Sequence, residues 1–90
     1  MLEELKKMHG YTNTEFDSII SSYIESAKKD LEMSGIVKSK VDDKEDKLIY
    51  SAIFSYVSSK LDLDNSTLFY ESYLMQKDQL RHYGEYINEI

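Results

Sequence analysis

Two histidines, His9 and His82, and two knots of acid, Asp42-Asp43-x-Glu45-Asp46 and Asp62-x-Asp64, are where this chain would have to do chemistry. Each histidine sits at the end of a segment with helical periodicity. There an imidazole serves more readily as a partner for the helix carbonyls than as a general base. A calcium loop opening at Asp62 would use Asp64 and Ser66 as its next ligands. It would then place Thr67 where glycine is needed and Tyr73 where the bidentate glutamate belongs, so the motif fails at its most diagnostic positions. The acids read instead as helix caps and first-turn charges. No cysteine is present to act as nucleophile or thiolate ligand. Gly10, Gly35 and Gly84 are too far apart to form a phosphate loop, and there is no Gly-x-Ser-x-Gly elbow. These residue patterns favour no catalytic, metal or cofactor site.

The elements that would position these groups are helical. Leu2, Leu5 and Met8 give a weak N-terminal helix that His9-Gly10 can end. Thr12 and Glu15 fit a capping box. Phe16, Ile19, Ile20, Tyr23, Ile24, Ala27 and Leu31 then recur at helical spacing, which predicts a helix over about 13–34. Gly35 and Ile36 suit a Schellman ending against Leu31. Residues 37–47 are charged and read as a loop, with Asp42 and Glu45 as a second capping box. Leu48, Ile49, Ala52, Ile53, Tyr56, Val57 and Leu61, widened by Tyr50 and Phe54, make the helix over about 43–61 apolar nearly all round. Ser51, Ser55, Ser58 and Ser59 are its small polar remainder. Such a helix must be wrapped by other elements, so Ile49, Ile53, Tyr56 and Val57 are expected between the helices at about 13–34 and 66–83. Asp62 to Ser66 offers caps for the last helix, whose positions include Leu68, Phe69, Tyr73, Gln76, Leu80 and Tyr83. The fold class is all-α: a small bundle of three main helices, a short N-terminal helix and a short C-terminal arm. Ser22-Tyr23, Ser55-Tyr56 and Ser72-Tyr73 form a near-repeat that suggests convergent packing, with a small serine beside each tyrosine.

Ninety residues with a formal charge of −6 point to one domain with a modest core. The opening residues do not resemble a signal peptide, no run approaches the ~18 apolar residues of a membrane span, and a soluble protein is expected. Lys28-Lys29 and Lys38 with Lys40 are local basic groups, but no basic stripe exists, so tight DNA binding is not expected. Eight tyrosines suit either the core rim, with the hydroxyl in water, or the amphipathic surface found at interfaces. Gly84 is expected to release residues 85–90 as an arm whose Tyr86, Ile87 and Ile90 are too apolar for water. The alternative is that the last helix continues and these side chains close the protein's own core.

Asp46-x-Leu48-Ile49-x-x-Ala52-Ile53-x-x-Tyr56-Val57, Lys60, Asp62-x-Asp64-Asn65, Phe69-x-x-x-Tyr73 and Leu80 resemble the small head–tail connector proteins of tailed phages and prophages, also called head completion or adaptor proteins. The resemblance covers about residues 12 to 83, and the Lys/Glu/Ile/Asn/Tyr-rich usage is similar to phages of low-GC Gram-positive hosts. It departs at Ser66, where family members often carry proline, and in a short loop between Gly35 and Asp46. The resemblance implies a non-enzymatic virion protein that uses no cofactor. It implies assembly in the host cytoplasm and a place in the virion neck, with the portal protein, a stopper or tail-side neck protein, and copies of itself as partners. It implies a ring of about twelve copies through which DNA passes without specific binding. It also implies partner contacts at the C-terminal end, His82, Tyr83, Tyr86, Ile87 and Ile90, with Lys38 and Lys40. A rival reading from charge and tyrosines alone is a small acidic inhibitor or immunity-type protein that blocks a basic partner.

Overall fold

In the computed structural model, which describes residues 1–87, the chain forms six helices and no strand among the described residues: α1 (Leu2–His9), α2 (Asp17–Met33), α3 (Lys38–Val41), α4 (Lys47–Leu61), α5 (Ser66–Arg81) and α6 (Gly84–Ile87). The architecture is the all-α bundle expected, with α2, α4 and α5 as its long members. α4 packs against α5 along one side and against α2 and α1 on others. Ile49, Ala52, Ile53 and Val57 are buried as the spine, while Tyr56 is half-buried at its edge. The four serines of α4 divide. Ser58 and Ser59 are buried under neighbouring helices, whereas Ser51 faces solvent.

Three helix starts differ from the sequence expectation. Thr12 and Glu15 do not form a capping box, and α2 begins at Asp17, not at about 13. The Asn13 side-chain oxygen takes the Glu15 amide at 2.9 Å, a local turn that competes with helix for the same donors. Lys6 then reaches Asp17 at 2.8 Å, fixing α1 to the first turn of α2. The segment after Ile36 is not a plain loop but contains α3, because Ile36 and Val41 are both buried and turn the chain inward. The second predicted box fails as well. Asp42 pairs with Lys38 at 2.8 Å, Asp43 accepts from the Glu45 amide at 2.9 Å, and Asp46 is the residue that caps α4. α4 therefore starts at Lys47 and not at about 43.

The endings follow the sequence more closely. Gly35 adopts φ 103°. The Ile36 amide donates to the Leu31 carbonyl at 3.1 Å and the Gly35 amide to that of Glu32 at 3.0 Å, the two bonds of a Schellman motif. Gly10 holds φ 79° at the end of α1, a conformation an L side chain resists. Between α4 and α5, Asp62 accepts from both the backbone and the side-chain amide of Asn65, and the Ser66 hydroxyl donates to the Ser59 carbonyl at 2.8 Å. These bonds shape the turn; none caps an α5 amide.

Several apolar side chains assigned to packed faces are exposed instead: Phe16, Ile19, Leu48, Leu68 and Tyr83. For Ile19, Leu48 and Leu68 the helical stripe is wider than the surface the bundle can cover, while Phe16 and Tyr83 fall just outside the helices. The Ser-Tyr near-repeat is also only half a packing device. Tyr56 and Tyr73 meet edge to face at 5.1 Å, but Ser22 and Ser72 are exposed and bring no helices together.

Ile53 tests the spine. A buried branched side chain cut to alanine costs about 2–5 kcal/mol, against a total stability of about 5–10 kcal/mol for a domain of this size. Ile53→Ala should lower the melting temperature plainly. An unchanged melt would mean that α4 is not the centre of the core.

Candidate interaction surface

The residues proposed for partner contact come from two distant stretches, Lys38/Lys40 and 82–87, and the fold joins the stretches where Val37 and Lys40 meet Tyr86, while Lys38 pairs with Asp42. The device is a single carboxylate. Asp46 precedes the first apolar residues of α4 and accepts the amides of Leu48 and Ile49 through Oδ1 at 3.0 and 3.1 Å. Its other oxygen, Oδ2, accepts the Tyr86 hydroxyl at 2.7 Å. The Tyr86 carbonyl in turn accepts the Val37 amide at 2.8 Å, tying α6 to the start of α3. Lys40 lies over the Tyr86 ring, 5.4 Å from its centroid, and 3.8 Å from Glu85. Burial, and then the hydrogen bond to Asp46, push the Tyr86 phenol well above its ordinary range, so it stays a neutral donor.

Gly84 thus does not release an arm at residues 84–87. α5 ends at Arg81, the chain turns through His82 and Tyr83, and α6 folds back until Tyr86 is only 5% exposed. Of the alternative expectation, core closure holds for Tyr86, but the last helix does not continue and Ile87 stays outward. Tyr86 is an intramolecular anchor. Tyr83 and Ile87 are the apolar side chains left outward, 49% and 43% exposed. Tyr83 leans on Tyr86 at 6.2 Å. His82 is the exposed cap residue of α5, its Nδ1 2.7 Å from the Asp78 carbonyl, the helix-end role expected of it. Lys38 is exposed and held by Asp42, which raises the Lys38 ammonium above its usual value and lowers the carboxyl. Ile90 lies outside the described residues.

A second polar cluster was not legible as a pair. The buried Tyr73 donates its hydroxyl to Asp30, and Lys77 reaches the same oxygen at 3.1 Å. Burial works to raise the Asp30 carboxyl, but the hydrogen bonds from Tyr73 and Lys77 outweigh it and hold the group below its ordinary range. These residues join α2 to α5. Asp30 stands in the last turn of α2 and carries no local motif, so only the fold reveals its partner.

The geometry offers little chemistry beyond binding. His9 Nε2 lies 2.9 Å from Ser58 Oγ, and burial lowers the imidazole against the opposing pull of Asp62. Ser58 is wholly buried in α4. No substrate reaches it, and the contact joins α1 to α4. Among the described residues there is no group of three or more His, Asp or Glu side chains placed to hold a metal ion, and no helix long and apolar enough to cross a membrane.

Truncation after Tyr83 removes Tyr86, its bond to Asp46 and its bond to Val37. Hydrogen bonds to charged groups contribute about 1.5–3 kcal/mol each, and a buried aromatic adds its own burial. The truncated chain should melt well below the full chain. An unchanged melting temperature would restore the free-arm description.

The family model described as phage connector protein matches residues 1–85. No curated protein and no solved structure matches the chain. The matched span includes the spine helix, its Asp46 cap and the turn into α6, and with so much of the fold inside it the chain belongs to the phage connector protein family.

Proposed function

We propose that this protein is a structural component of the phage neck that assembles as a ring beneath the portal and joins the head to the tail. The observation that carries the reading is the connector family match over residues 1–85; connector proteins are structural, and act through contacts with other head and tail proteins. The corner formed by α3, α6 and the end of α5 is the proposed contact surface. Lys38, His82, Tyr83 and Ile87 face outward there, on a base fixed by Asp46 and Tyr86. Rigid anchors of this kind reduce the entropy lost on docking.

Charge fits a conduit better than a DNA binder. The chain carries −6 overall, and Lys6, Lys28, Lys38, Lys40 and Lys77 each lie within 4 Å of a carboxylate of the same chain. A ring of such subunits would repel phosphates and let DNA slide. The proposed partners are the portal protein on one side, a stopper or tail-side protein on the other, and neighbouring copies around the ring, about twelve by analogy with the family.

Mixing the purified chain with its portal protein and imaging the product by electron microscopy tests this. A ring seated on the portal is expected. The isolated chain is expected to show no sub-micromolar affinity for duplex DNA at physiological salt. A chain that ignores the portal and remains monomeric beside it, or one that binds DNA tightly, would overturn the reading.

A further inference from the structure

Two surface features, at opposite ends of α4, have no task in the fold of a single chain. The first is Leu63, 84% exposed in the α4–α5 turn. A lone exposed leucine is ordinary, but this one is held out on a braced turn. Asp62 accepts from the backbone amide of Asn65 at 3.2 Å and from its side-chain amide at 3.0 Å, and the Ser66 hydroxyl ties the turn to the Ser59 carbonyl. Asp62 and Asp64 flank the leucine. The bonds from Asn65 hold the Asp62 carboxyl below its ordinary range, so it stays charged. The second feature is a pit of about 260 Å³ at the start of α4. Its floor is Ile24, Val41, Ile49 and Ile53, the last three only 2% exposed, so the pit opens onto the spine itself. Met1 and Tyr50 also line it, and no residue of α5 or α6 does. Its mouth carries Lys28, Asp42, Asp43 and Lys44. Asp42 is already paired with Lys38 at 2.8 Å, and Asp43 accepts the Glu45 amide through Oδ1. Lys28 touches Glu25 only loosely, at 3.8 Å. Lys44 has no carboxylate within 4 Å among the described residues.

We propose that Leu63 of one copy seats in the Ile24–Val41–Ile49–Ile53 pit of the next, with Asp62 and Asp64 meeting Lys44 and Lys28 at its mouth. The inference rests on the ring reading above and names the contact between neighbouring copies. Three observations commit the pit to a second copy. The knob is an aliphatic side chain, as an aliphatic floor requires. The charges beside the knob are carboxylates, and the charge at the mouth without a partner is the Lys44 ammonium, so the two surfaces are complementary. Knob and pit lie beyond opposite ends of α4, so both remain available on every copy. A contact between two unlike patches passes from copy to copy, which is what a ring needs. Asp43 opposes the seating. It weakens the contact between free chains, and its removal becomes a test. The pit takes none of the outward residues His82, Tyr83 and Ile87 of the α3–α6 corner, so a copy can use both surfaces at once.

The chain has no cysteine, so an introduced pair reports the contact alone. Lys44→Cys with Asp64→Cys replaces one ion pair by a bridge and keeps the Leu63 knob. The two positions lie beyond opposite ends of α4, which has 15 residues and is about 22 Å long. A disulfide needs Cα atoms within about 7 Å, so any bridge joins two copies. In rings seated on the portal, the double variant should oxidise to a ladder of multimers on a non-reducing gel, and neither single variant should. Leu63→Ser should leave the melting temperature of the free chain unchanged, because the side chain is outside the core, and should weaken ring assembly about tenfold or more. Lys44→Glu should weaken it likewise, Lys44→Glu with Asp64→Lys should restore it, and Asp43→Asn should strengthen it. Rings that form normally with Leu63→Ser, or that give no ladder, would overturn this inference and leave the ring reading standing. Cross-linking that stops at a dimer would also overturn it, since the contact would then be reciprocal. No ring from the unaltered chain would overturn both.

Discussion

The Asp46 carboxylate is shared between two helices, and the arrangement of the C-terminal half follows from that division. One oxygen satisfies amides that the first turn of α4 cannot pair within itself. The other receives the Tyr86 hydroxyl. The start of the spine and the last described turn of the chain are therefore fixed by the same side chain, 40 residues apart in sequence. With Tyr86 in place, its carbonyl holds Val37, and α3 is pinned between that bond and the burial of Ile36 and Val41. An acid that only capped α4 would leave α6 with an apolar ring and no polar partner for its hydroxyl.

A second tie, Asp30 with Tyr73 and Lys77, couples α2 to α5 across the edge of α4. Both ties pair a buried tyrosine with a carboxylate, and in both the hydroxyl is the donor. This gives the unusual tyrosine content a concrete use. Tyr73 and Tyr86 bury a ring and spend the hydroxyl on an acid, while Tyr70 and Tyr83 remain outward. Composition alone leaves the tyrosines between core rim and interface, and the structure divides them between buried anchors and surface.

Periodicity carried most of what the sequence reveals. The all-α class, the spine of Ile49, Ile53 and Val57, and the Schellman end at Gly35-Ile36 all follow from spacing and turn chemistry. The helix starts did not, because this chain offers several Asp, Asn and Thr residues before each helix and only tertiary contacts choose among them. Asp46 stands directly before the apolar run of α4, and adjacency was the better signal than the box spacing of Asp42 and Glu45. Exposure of Leu48 and Leu68 was equally hidden, since a stripe records which residues could be covered and not how many neighbours exist to cover them. For the contact surface, sequence supplied Lys38, Lys40 and the 82–87 segment as separate stretches. Their meeting rests on the Asp46–Tyr86 bond, which no local pattern encodes.

For a connector, this architecture separates a rigid frame from the surfaces that meet other proteins, and the frame depends on Asp46 serving both helices at once. A double-mutant cycle of Asp46→Ala and Tyr86→Phe, read by chemical denaturation, measures that dependence directly. The two changes should be strongly non-additive, with a coupling of about 1–3 kcal/mol, as for residues in one hydrogen-bonded network. Asp46→Ala alone should cost more than Tyr86→Phe, since it also removes the α4 cap, worth about 0.5–2 kcal/mol. Additivity within about 0.3–0.5 kcal/mol would show that the two residues act independently and would contradict the account.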